Sequence, residues 1–140
     1  MNELTVTPEG ERCSTAKAFL KPVLNRTNLT VVTNAVAQKL TFSGKTCKGV
    51  QYKKNNELIN VEATKEVIVS GGALNSPQLL LLSGIGDKND LEDHGIDCVV
   101  NLPGVGKNLH DHLLVPVVFE SKKEIPPPQA NLLELSLIHI

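Results

Sequence analysis

Residues 70–86 read SGGALNSPQLLLLSGIG, with paired glycines on both sides of a leucine run. Before it, Val67, Ile68 and Val69 are apolar on successive residues, the pattern of a strand covered on both faces. Asn75 or Ser76 is suited to cap a helix, and Pro77 then falls at the favoured first helical position. Four consecutive leucines, Leu79 to Leu82, make that helix apolar all round, which predicts burial. Gly84 and Gly86 supply the turn conformations that end it. A strand passing through Ser-Gly-Gly into a capped helix exposes backbone N–H groups and lets a ligand approach the main chain with no Cβ in the way. Equally, such glycines serve close packing of helix on strand. The stretch is not G-x-G-x-x-G, and no acidic residue follows about twenty positions on in a βαβ unit.

Upstream, residues 36–42 (VAQKLTF) alternate roughly, and Ser43, Gly44 and Lys45 make a turn. CKGVQYKK alternates again, Asn55-Asn56 turns the chain, and residues 58–70 continue as strand. Three or four strands joined by short polar turns predict an antiparallel β-meander. Residues 29–33 (LTVVT) are rich in β-branched residues and read as a further strand. Ser14 is a plausible N-cap for a helix over residues 15–21, with Ala16, Phe19 and Leu20 on its apolar side and Pro22 ending it. Downstream, residues 87–92 are polar, residues 97–102 extended, and a glycine-punctuated loop follows. The segment 125–128 (IPPP) favours polyproline II, and nothing after it shows a period.

Composition narrows the function classes. At 140 residues, one modest domain is expected to bury about 68% of the surface its unfolded chain exposes. The 41% hydrophobic and 21% charged content is close to globular averages, so wholesale disorder is not expected. Fourteen basic against 15 acidic residues give a net charge of −1, which with 3% aromatics argues against nucleic-acid binding. Cys13, Cys47 and Cys98 are odd in number with no CxxC, so neither a zinc site nor a disulfide framework follows. No leader pattern is visible at the start, and the longest apolar run is too short for a membrane span. Two sequons, at Asn25 and Asn28, tilt an otherwise open compartment towards secretion. His110 and His112 stand on one side of an extended segment, but a metal needs a third ligand, and no metal site is expected.

The quoted stretch as a whole, Gly72-Ala73-x-x-Ser76-Pro77-x-Leu79-Leu80-x-x-Ser83-Gly84-Ile85-Gly86, resembles the second signature of the glucose-methanol-choline (GMC) oxidoreductases. These are flavoproteins that use FAD to oxidise alcohols and sugars. Further stretches resemble the family in the same order: Gly10-x-Arg12-x-Ser14-Thr15-x-x-Ala18-Phe19-Leu20, the strand 28–33, residues 65–70, and Leu102-Pro103-Gly104-Val105-Gly106-Lys107-Asn108-Leu109-x-Asp111-His112. The likeness covers residues 10 to 120. Asp111 and His112 then belong to a loop motif of the family, and His110 stands where Gln is common.

The resemblance implies an α/β fold, of α+β character in this chain: an antiparallel meander plus a strand–helix unit from an FAD/NAD(P)-binding-type domain. Residues 1–120 are expected to form a partial FAD-binding domain, and residues 121–140 a proline-rich tail without family likeness. The strand and helix would pack beside the adenine half of FAD. Ala37 matches a position, valine in most relatives, that contacts the adenine through its backbone. Ser70, Gly71 and Gly72 match a Ser-Ala-Gly pattern, with Gly71 in place of alanine. The expected cofactor contacts are therefore Ala37, Ser70, Gly71 and Gly72. The family's N-terminal glycine fingerprint and C-terminal catalytic histidine have no match here, so no catalytic residue is assigned. The expected partner is a small alcohol or sugar in a full-length parent, and this chain alone is expected to be inactive; the alternative is a non-catalytic fragment or binding module that retains part of the fold.

Overall fold

The computed structural model describes Val6, residues 10–111, Leu113 and residues 115–117. The proline-rich stretch, the tail 121–140 and His112 lie outside these residues. The chain forms two compact units, Val32–Leu113 and Met1–Val31 with Leu114–Ile140.

The first unit holds the expected meander. Strands β1 (Ala35–Ser43), β2 (Thr46–Lys54) and β3 (Glu57–Glu62) form an antiparallel sheet in the order β1-β2-β3. Both connections are two-residue turns. Asn55 and Asn56 both have positive φ, at 49° and 67°, which the short Asx side chain tolerates and which matches the twist of a hairpin. The pairing slips twice, leaving Gln38 out of register on β1 and Lys48 on β2. Such bulges bend a strand and re-aim its side chains.

Helix α1 (Gly72–Leu82) packs against β1 and against the short strand β4 (Ile85–Gly86). It begins four residues before Ser76, so Pro77 lies inside it rather than at its first position. The Ser76 hydroxyl is bonded nonetheless: it accepts from the Gly71 N–H at 2.8 Å, satisfying a donor just outside the helix. Gly72 enters the helix at φ 84°, where an L side chain would be strained. Nor is the helix wholly buried. Leu79, Leu80 and Leu81 are half-buried, while Leu74 and Leu82 are exposed. Among the described residues the buried apolar side chains are Leu40 and Leu91.

The segments 29–33 and 67–69, expected as strands, join no ladder among the described residues, and Ile68 is exposed. Their β-branched composition reports a fit to a pleated surface, and a ladder also needs a neighbour to bond to. Beyond α1, Gly84 turns the chain at φ 81° and its carbonyl accepts from Val99 N and Val100 N at 2.8 and 3.1 Å. Strand β4 then pairs in parallel with β5 (Val100–Asn101), inside the region expected to be extended. Between them sits α2 (Lys88–Asp93), read in the sequence only as polar. Asp87 caps it, accepting from Asn89 N at 2.9 Å and Asp90 N at 3.3 Å.

In the second unit, Ser14 opens a helical turn as expected, its hydroxyl accepting from Lys17 N at 3.2 Å. The turn Ala16–Leu20 is π-helical, however, with Lys21 N–H reaching back to Ala16 O. Pro22 follows in a 3-10 turn, Lys21–Val23. Lacking an N–H, Pro22 has nothing to donate to the Ala18 carbonyl, and an α-helix does not continue through it.

Candidate functional site

A cleft of about 370 Å³ lies between the start of β1, the segment leading into α1, and one face of α1. Ala35, Val36 and Ala37 form the strand wall, Val69 and Gly71 the entry segment, and Asn75, Gln78, Leu79 and Leu82 the helix face. The size falls within the range of small-molecule pockets. Of the four residues expected to contact a cofactor, Ala37 and Gly71 are brought to this one cleft. Ser70 and Gly72 flank Gly71 in the chain but are not among its lining residues. Asn75, Gln78, Leu79 and Leu82 were not singled out by the sequence reading. Their i, i+3, i+4, i+7 spacing, which puts them on one helix face, was the available signal.

Two features of the cleft bear on its chemistry. None of its lining residues is titratable, so its walls offer no acid or base. Its strand wall belongs to an edge strand, whose outward N–H and C=O groups have no ladder partner on that side among the described residues. One of these groups, the Leu40 N–H, is met by the Ser83 hydroxyl at 2.8 Å. Such a surface suits a flat, neutral heterocycle that stacks on apolar walls and bonds to backbone at its rim.

A second cavity of about 360 Å³ lies between α1, α2 and the loop after β5. Leu81, Leu91, Ile96 and Val105 give it an apolar lining, with Asp90, His94 and Lys107 also present. Lys107 Nζ donates to Asp90 Oδ2 at 3.0 Å, and this bond together with the carboxylate charge raises the Lys107 pKa above its ordinary value. His94 Nδ1 lies 2.7 Å from the Asp90 carbonyl, which fixes the ring against its own helix. His110 is exposed, and no cluster of potential metal ligands occurs among the described residues. No helix among them is long and apolar enough to cross a membrane.

Comparison with known proteins gives a consistent result. A family model described as GMC oxidoreductase matches residues 1–114. The chain is 52% identical over 105 residues to the mitochondrial choline dehydrogenase of Homo sapiens, covering 75% of this chain and 18% of that protein. It is 48% identical over 116 residues to an oxygen-dependent choline dehydrogenase of Staphylococcus aureus, covering 83% and 20%. Among solved structures, an FAD-dependent oxidoreductase from Chaetomium thermophilum superposes with a TM-score of 0.64 at 33% identity, over 66% of this chain and 16% of that one. Pyridoxine 4-oxidase from Mesorbium loti superposes with a TM-score of 0.64 at 32% identity, over 69% and 19%. The chain thus spans about a fifth of the length of the curated relatives it matches.

Proposed function

Because this chain belongs to the GMC oxidoreductase family, we propose that it forms part of the FAD-binding domain of an enzyme that oxidises a CH–OH donor, and that its cleft takes the adenosine half of FAD. The observation that carries this reading is the cleft itself, in which Ala37 of an open strand edge and Gly71 before α1 line one uncharged space, apolar apart from Asn75 and Gln78. Adenine is flat and neutral, and its edge bonds to backbone groups, so these residues fit that half of the cofactor. Ala37 offers its main chain with little side-chain bulk, and Gly71 lines the cleft with Ser70 and Gly72 flanking it in the chain. Leu79 and Leu82 exclude water from the ring face. Bound FAD supplies the acceptor for the donor's hydride.

Choline or a choline-like alcohol is the donor this reading favours, since relatives at 52% and 48% identity are choline dehydrogenases. The removal of the donor's hydroxyl proton, which accompanies loss of its carbon-bound hydrogen as hydride, also needs a base within hydrogen-bond reach. The cleft lining has none, in keeping with an adenosine subsite rather than a reaction centre. Residues 1–120 are accordingly assigned to the FAD-binding domain.

Absorbance of the purified chain after mixing with FAD and desalting tests the reading. Retained flavin is expected, without turnover of choline. A colourless protein would mean that these contacts do not hold the cofactor, and measurable choline oxidation would contradict the assignment of the chemistry to residues outside this chain.

A further inference from the structure

We infer that Ser83 is a positioning residue, whose buried hydroxyl ties the end of α1 to the open edge of β1 and thereby sets the width of the cleft. The inference rests on the reading of that cleft as the adenosine site. Ser83 is 7% exposed, the one polar side chain buried among the described residues, and Leu40 beside it is 7% exposed as well. A hydroxyl has one proton to give and lone pairs to accept with, and here both capacities are used. Its oxygen accepts from Leu40 N at 2.8 Å and donates its proton to Leu79 O at 2.5 Å.

Each bond answers a specific need. The last turn of α1 tightens, with Ser83 N and Gly84 N bonding Leu80 O and Leu81 O at 3.0 Å each. Leu79 O is thereby left without the Ser83 backbone donor that an α-helix would give it, and the Ser83 hydroxyl takes that place. Leu40 N–H is an edge-strand donor buried away from water, where an unmade bond is costly. The tie joins residues 43 apart in sequence. Its two ends are Leu79, which lines the helix wall of the cleft, and Leu40, three residues beyond Ala37 on the strand wall. The bulge at Gln38 lies between Ala37 and Leu40, so the strand is free to bend there unless its far side is held.

The test compares the chain with Ser83→Ala and Ser83→Thr by amide hydrogen exchange and by AMP binding, with FMN as the ligand that lacks adenosine. In Ser83→Ala, exchange at Leu40 is expected to rise roughly tenfold or more, the equivalent of one buried hydrogen bond. Amides of residues 35–37 and 69–71 should exchange faster with it. AMP affinity should fall by a similar factor while any FMN binding stays unchanged. Ser83→Thr keeps the hydroxyl and should retain Leu40 protection, which separates the bond from general loss of folding. Unchanged Leu40 exchange in Ser83→Ala overturns the tie. Faster Leu40 exchange with unchanged exchange at 35–37 and 69–71 overturns its control of the cleft. If the wild-type chain binds no AMP while those exchange changes occur, Ser83 keeps its role and the adenosine reading falls.

Discussion

Gly84→Ala is expected to destabilise the unit Val32–Leu113 by about 2–5 kcal/mol, combining left-handed backbone strain with overpacking. Gly84 holds φ 81°, and a Cβ there would run into the Asp97 carbonyl and stand 3.0 Å from Val99 Cγ2. Neither obstacle can move cheaply. The first is backbone, and Val99 is pinned because its N–H bonds the Gly84 carbonyl at 2.8 Å. Gly95 provides the control. Its φ is 69°, but a Cβ would meet nothing within 4 Å. Gly95→Ala should therefore cost only the conformational part, about 1–2 kcal/mol. Urea midpoints of the two variants measure the difference. Equal losses would mean that the segment 97–99 leading into β5 does not approach Gly84 as closely as described.

Leu91→Ala is the second large effect. Leu91 is 2% exposed, and it sits where α2 folds back towards α1, within reach of the Gly86 main chain and Leu81. With so few apolar side chains buried, its loss leaves a cavity that neighbours cannot easily fill. The expected cost is about 2–5 kcal/mol. Leu74, also a leucine but 69% exposed, serves as the contrast: Leu74→Ala should change stability by no more than about 0.5 kcal/mol. Thermal or urea unfolding of the two variants reads this directly. Similar losses at both positions would show that Leu74 is covered in solution.

Much of this architecture was legible in the residues themselves. The meander was readable because alternation, Ser43-Gly44-Lys45 and Asn55-Asn56 agree on the same strands and turns. The signature stretch placed a helix between glycines, and the glycines proved to do different jobs. Gly72 sets a left-handed entry with open space around it, Gly84 combines a left-handed turn with close approach of the Asp97 carbonyl, and Gly86 leaves room for the Leu81 side chain. The start of α1 was misread because Ser76 and Pro77 look like a helix opening. In the fold, the Ser76 hydroxyl reaches back to Gly71 N from within the helix. Asp87 is a readable cap for α2, and its signal is hidden because five of the six residues that follow are polar and Leu91 stands alone among them.

Burial and strand pairing at residues 29–33 and 67–69 could not be read in this way. Apolar and β-branched character states what a segment can cover, while neighbours decide what it does cover. The site was half legible. Ala37 and Gly71 came from the resemblance, and the helix face Asn75, Gln78, Leu79 and Leu82 needed the observed position of α1 on β1. Ser83 stood in the signature without a role until its two bonds were visible.

The most direct test of the adenosine reading is a titration of the isotope-labelled chain with AMP, followed at each backbone amide by NMR. The expected result is saturable shifts at Ala37, Ser70, Gly71 and Gly72, extending to Gln78 and Leu79 and absent around His94 and Lys107. Shifts confined to the second cavity, or none at residues 35–37 and 69–72 at saturating AMP, would contradict the assignment of this cleft to the cofactor.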